Sequence, residues 1–148
     1  MQKRLDKALE LGADGVINGK EVDVLAKAKE LTGGEGFDLA IETAGTEITT
    51  NQAIQVVRKG SNIVLVGYGK TGMMNMMMSL ALDKEITFKT VFRYRHIYPM
   101  AIEAVAQGKV NLKGIATHIF SFDDIQTAMD RSVNEKAEIV KAVVKIAE

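Results

Sequence analysis

Apolar positions recur three and four residues apart at the start of the chain. Leu5, Ala8, Leu9 and Leu11 share one helical face between Arg4 and Leu11, and Gly12 supplies a stop. Val16 and Ile17 read as a short strand. Helical spacing returns from Val22 to Leu31 through Val22, Leu25, Ala26, Ala28 and Leu31, until Thr32-Gly33-Gly34-Glu35-Gly36 breaks it. Phe37 to Ile41 reads as a strand ending at Glu42. Thr46 or Thr49 suits the cap of the next helix, which runs to Val57 and stops near Gly60. Asn62 to Val66 is almost continuously apolar and β-branched, the pattern of a parallel strand covered on both faces, and Gly67 and Gly69 follow at once.

The second half continues the alternation. Ile86 to Tyr94 predicts a longer strand, and Pro99 sits where the first turn of a helix running to Gly108 would begin. A strand around His118 to Phe120, a helix from Asp123 with Ser121 as its cap, and a last strand from Ala142 to Ile146 complete the reading. Strand and helix alternating in this way predict an α/β fold with a parallel sheet and flanking helices. After Gly114 the character changes, and the tail reads as a short appendage.

Composition narrows the function. With 148 residues, 47% of them hydrophobic, the chain has enough for one core. A formal net charge of zero, with basic residues set among acidic ones as from Lys20 to Glu30, argues against nucleic acid as a partner. There is no cysteine, so neither a disulfide nor a thiolate metal site is available. No apolar run reaches the roughly 20 residues of a membrane span, and no leader-like segment opens the sequence. A soluble cytoplasmic protein is expected. Five of the eight methionines fall between Met73 and Met78, which reads as core filler or an interface patch.

Chemistry is expected at the carboxyl ends of the strands, where ligands bind in open parallel sheets. Glu42-Thr43-Ala44-Gly45 closes one strand and Val66-Gly67-Tyr68-Gly69 closes the next; glycines there would admit a flat or phosphorylated ligand against the backbone, although ordinary turns use the same residues. A third end, Val91-Phe92-Arg93-Tyr94, sets a bidentate donor beside aromatic surface. No catalytic residue stands out. His96 and His118, the only histidines, have no metal-ligand spacing and read as structural or surface groups. Gly67-Tyr68-Gly69-Lys70-Thr71-Gly72 has G-x-G-x-x-G spacing, but no good helix follows, so it is rejected as a pyrophosphate loop.

These segments resemble the zinc-dependent medium-chain alcohol dehydrogenases, and within them the sorbitol (polyol) dehydrogenases, over essentially the whole chain. The likeness is carried by Arg4 to Asp14, by Gly34 to Asp38 running into Ile41 to Gly45, by Val64 to Gly67, and most specifically by Val91-Phe92-Arg93-Tyr94 with Tyr98-Pro99. The resemblance implies an incomplete Rossmann-like domain over 1–114 that lacks its first strands, and a segment, 115–148, that packs on a catalytic domain. It implies an oxidoreductase using NAD or NADP, with the choice between them open. Arg4 would lie beside the adenosine ribose; Thr43 and Ala44 would line the cofactor groove; Val66, Gly67, Tyr68, Val91, Phe92 and Arg93 would meet the nicotinamide end. Arg93 and Tyr94 would reach the hydroxyls of a polyol of sorbitol or xylitol type.

In that family zinc polarises the substrate alcohol. Its ligands, with the glycine-rich loop and the acidic residue that follows it, would precede Met1, so no metal ligand and no turnover are expected of this chain by itself. The strand from Ile86 to Phe92 is expected at a sheet edge, where the resemblance implies a homo-oligomer contact. The alternative is a non-catalytic dimerisation or assembly module on the same scaffold. A receiver-like phosphate-binding domain is disfavoured because no acidic cluster ends a strand.

Overall fold

The computed structural model describes residues 1–147. Along the chain run α1 (Gln2–Glu10), α2 (Val24–Leu31), β1 (Phe37–Glu42), α3 (Glu47–Val56), β2 (Val57–Leu65), α4 (Met78–Asp83), β3 (Thr87–Thr90), α5 (Tyr98–Ala106), β4 (His118–Ser121), α6 (Ile125–Asn134) and β5 (Ala142–Lys145). They form two compact units, one from Gly19 to Arg95 and the other from residues 1–18 with those from His96 onward.

In the first unit β1, β2 and β3 make a parallel sheet in that order. Parallel neighbours require crossovers, and α3 and α4 supply them. Ile54 and Ala53 of α3, Val57 and Ile63 of β2 and Ala81 of α4 form the buried core, with Ala40, Leu65, Leu80, Ile86, Phe88 and Met76 packed around it. Ile54 and Ile63 are completely buried, each burial contributing about 2–3 kcal/mol. Thr46 caps α3 by accepting from the Thr49 backbone N–H at 3.2 Å. Thr32 locks the α2–β1 turn: its hydroxyl donates to the Ala28 carbonyl and accepts from the Gly36 N–H.

The second unit pairs β4 and β5 in parallel, with α6 between them in sequence. Ala128 and Ile139 are buried there, and the Arg131 guanidinium stands 5.6 Å from the centre of the Phe120 ring.

Several expectations need correction. Val16 and Ile17 lie in irregular chain and pair with no strand. Helix α2 begins at Val24, because the Asp23 carboxylate accepts from the Leu25 and Ala26 N–H groups and so ends the preceding extended chain. Strand β2 starts at Val57, not Asn62; Val57 pairs with Phe37, and a register shift with Gly60 at φ 70° absorbs the extra residues. Strand β3 ends at Thr90, after which the chain turns through Arg93 at φ 54°. Helix α6 starts at Ile125, and the Ser121 hydroxyl donates to the Asp124 carboxylate instead of capping a backbone N–H. The sheet is covered on one face by α3 and α4, whereas Leu39 and Ile41 on its other face are half or more exposed.

Candidate functional site

Three parallel strands in register put their carboxyl ends on one rim. Glu42 is the partner of Leu65, and Leu65 is the partner of Thr90. The segments that follow, Thr43–Gly45, Val66–Gly69 and Val91–Tyr94, therefore emerge side by side. The backbone extends this alignment past the strands: Val66 and Gly67 donate to the Glu42 carbonyl at 2.8 and 3.0 Å, and Val91 donates to the Leu65 carbonyl at 3.0 Å.

Between the second and third tips lies an apolar cleft of about 810 Å³, lined by Leu65, Val66, Gly67, Tyr68 and Thr90 to Tyr94. Such a volume suits a small organic ligand. The Tyr68 and Phe92 rings face each other at 6.4 Å with a 48° tilt, and both are largely exposed. The Arg93 guanidinium stands 5.1 Å from the centre of the Phe92 ring. Arg93 holds a left-handed backbone, uncommon for a residue with a side chain, and so turns the chain at the cleft mouth.

The first tip meets the second behind this cleft. A Cβ on Gly67 would stand 2.0 Å from the Gly45 nitrogen and 2.6 Å from Glu42 Oε2. A Cβ on Gly45, at φ 67°, would stand 2.6 Å from the Tyr68 nitrogen. Only glycine at both positions lets the tips cross this closely. Thr43 and Ala44 are exposed on the first tip and do not line the 810 Å³ cleft.

Of the residues singled out from sequence, Val66, Gly67, Tyr68, Val91, Phe92, Arg93 and Tyr94 are brought together. Arg4 lies on α1 in the other unit, where its guanidinium donates to the Ile139 carbonyl at 3.4 Å. His118 is half-buried at the start of β4, within 3.0 Å of the Thr117 hydroxyl, and His96 is exposed. Among the described residues no group of three or more His, Cys, Asp or Glu side chains gathers to hold a metal ion. A bare glycine at the tip and an apolar, aromatic-walled cleft do fit the flat end of a dinucleotide.

In the sequence Glu42 reads only as the residue that closes a strand. It is 5% exposed and satisfied by backbone N–H groups and a hydroxyl. A carboxylate directly after an apolar strand, followed by Thr-Ala-Gly, was the available signal. Gly67 to Gly72 opens no helix, since the next one begins at Met78. A separate cavity of about 320 Å³, lined by Leu25, Gly36, Val57 and Lys84 among others, lies at the opposite ends of the strands. No helix among the described residues is long and apolar enough to cross a membrane.

The chain is similar to known proteins along its whole length. It is 39% identical to an uncharacterized zinc-type alcohol dehydrogenase-like protein of Escherichia coli (strain K12), matching all of this chain and 42% of that protein. It is 35% identical to sorbitol dehydrogenase of Bacillus subtilis (strain 168), over 95% of this chain and 40% of the relative. The crystal structure of 2R,3R-butanediol dehydrogenase from Bacillus subtilis superposes with a TM-score of 0.85 at 30% identity, covering 99% of this chain and 42% of that one. The chain thus spans about two fifths of the length of these relatives. Residues 1–107 match the model of the zinc-binding dehydrogenase family, to which this chain belongs.

Proposed function

We propose that this chain supplies one wall of the nicotinamide groove of a polyol dehydrogenase that uses NAD or NADP and oxidises a secondary alcohol to a ketone. The observation that carries the reading is the single rim on which the Val66–Tyr68 and Val91–Tyr94 tips converge around an apolar cleft. The nicotinamide ring, when bound, supplies the hydride acceptor. The chain's own part is to seat that ring. Val66, Gly67, Val91 and Phe92 offer apolar surface and close backbone, and Tyr68 and Phe92 screen the face from water. Thr43 and Ala44 continue the groove from the first tip. Arg93 donates to polyol oxygens, with Tyr94 beside it.

The names of the relatives support this substrate class, since one acts on sorbitol and another on a vicinal diol. In the longer polypeptide, residues 1–114 would belong to the cofactor domain and 115–148 would pack on the domain that holds the metal. Exposed Leu39 and Ile41 on β1 are what further strands and their helices would cover.

The second reading is a dimerisation module. It rests on β3 standing at the edge of its sheet, and on exposed Met73, Met77 and Met78 in the loop leading into α4 and at the start of that helix. NADH fluorescence together with sedimentation separates the two. Saturable, blue-shifted NADH emission favours the groove, even at weak affinity. A tight dimer with no nucleotide response favours assembly. Mixed with NAD and sorbitol, this chain is expected to give no turnover, and zinc-independent turnover would contradict the reading.

A further inference from the structure

We propose that Glu42 is a positioning residue for the nucleotide groove, latching the first strand tip to the second; the inference rests on the cofactor reading above. Burying a carboxylate is costly unless hydrogen bonds replace its water. Here they do, and all of them go to one place. Oε1 accepts from the Ala44 N–H at 2.8 Å, the Gly45 N–H at 3.0 Å and the Thr49 hydroxyl at 2.8 Å; Oε2 accepts from the Gly45 N–H at 3.1 Å. Among the described residues no lysine or arginine is paired with it.

The same residue holds the second tip through its carbonyl, which accepts from Val66 and Gly67. Oε2 also occupies the space where a Gly67 side chain would begin, 2.6 Å from that Cβ position. Glu42 therefore fixes Ala44 and Gly45 from inside, ties them through Thr49 to the start of α3, and leaves Gly67 one position against them. An apolar residue here would make none of these hydrogen bonds. It would not set the spacing between the Thr43–Ala44 tip and Tyr68.

Glu42→Gln tests this with almost no change in volume. The amide oxygen can keep the three Oε1 contacts, but the amide nitrogen would face the Gly45 N–H, donor against donor, and push the first tip outward. Backbone amide shifts of Ala44, Gly45 and Tyr68 are expected to move in the nucleotide-free variant, while those of Ala81 and Phe88 stay. NADH affinity should fall about tenfold at an unchanged far-ultraviolet spectrum. Thr49→Val, which removes one donor and keeps the carboxylate, should shift the same amides by less and weaken NADH about threefold. Unmoved tip amides in both variants overturn the latch, as does NADH affinity that falls only as the folded fraction falls. A wild-type chain with no NADH response sinks the nucleotide reading and with it the role assigned to Glu42 in binding; the amide shifts then still report whether the latch exists.

Discussion

The rings of Tyr68 and Phe92 meet at 6.4 Å across the cleft although they come from different strand tips, and 81% and 68% of these residues is exposed. Two large aromatic residues held in water do little for the fold, so their value lies in what they contact. Phe92→Leu should leave the melting temperature within a degree or two, because exposed substitutions change stability by about 0.5 kcal/mol or less. The same variant should weaken NADH binding by about threefold to tenfold in a fluorescence titration, the usual range for losing one aromatic contact.

Gly67→Ala concerns the crossing itself. The added methyl would stand 2.0 Å from the Gly45 nitrogen, so one backbone must move. Urea unfolding should show a loss of at least about 2 kcal/mol, with NADH binding lost as well. Wild-type stability in this variant would mean that the tips are not packed as described.

Thr50 points the other way. It is fully buried on α3, and its hydroxyl has no hydrogen-bond partner among the described residues. Valine keeps the shape and removes the unpaired oxygen, so Thr50→Val should stabilise the protein by about 1 kcal/mol, read as a rise in the urea midpoint. A net loss would show that the hydroxyl does find a partner in solution.

Lys84 gives a pH dependence. Its ammonium donates to the carbonyls of Ile54, Gln55 and Val57 at 3.1, 2.7 and 2.7 Å, closing the end of α3. Lys84→Met should cost about 1–2 kcal/mol at neutral pH by leaving those carbonyls without their donor. Burial also holds the Lys84 pKa below the ordinary lysine value. Between that lowered pKa and the unfolded value of about 10.4, the unfolded chain binds more protons than the folded one. Stability from this group therefore rises with pH across that window. Urea midpoints measured up the alkaline range should show this rise in the wild type, and Lys84→Met should lack it.

Much of this was readable before any coordinates. The uninterrupted apolar run from Ile63 to Val66 located the central strand, and the glycines after it located the tip. Val91 to Tyr94, four of the nine residues lining the cleft, stand out by placing an Arg and a Tyr beside an apolar pair. What stayed hidden depends on contacts between distant residues. Val57 joins β2 only because Phe37 is there to pair with it across a register shift. The three carbonyls that hold Lys84 come from residues at least 27 positions away. Glu42 reads as the polar end of a strand because most of its hydrogen bonds come from backbone N–H groups, which carry no mark in a sequence. Asp23 is a plain cap signal, obscured by Val22 extending the helical spacing two residues before the helix begins.

The convergence of the strand tips is tested most directly by mapping backbone amide shifts of the wild-type chain as NADH is added to millimolar concentration. Saturable shifts confined to Thr43–Gly45, Val66–Gly69 and Val91–Tyr94 are expected. Shifts that cluster instead around Leu25, Gly36 and Lys84 at the far rim, or none at any concentration, would contradict a nicotinamide groove at these tips.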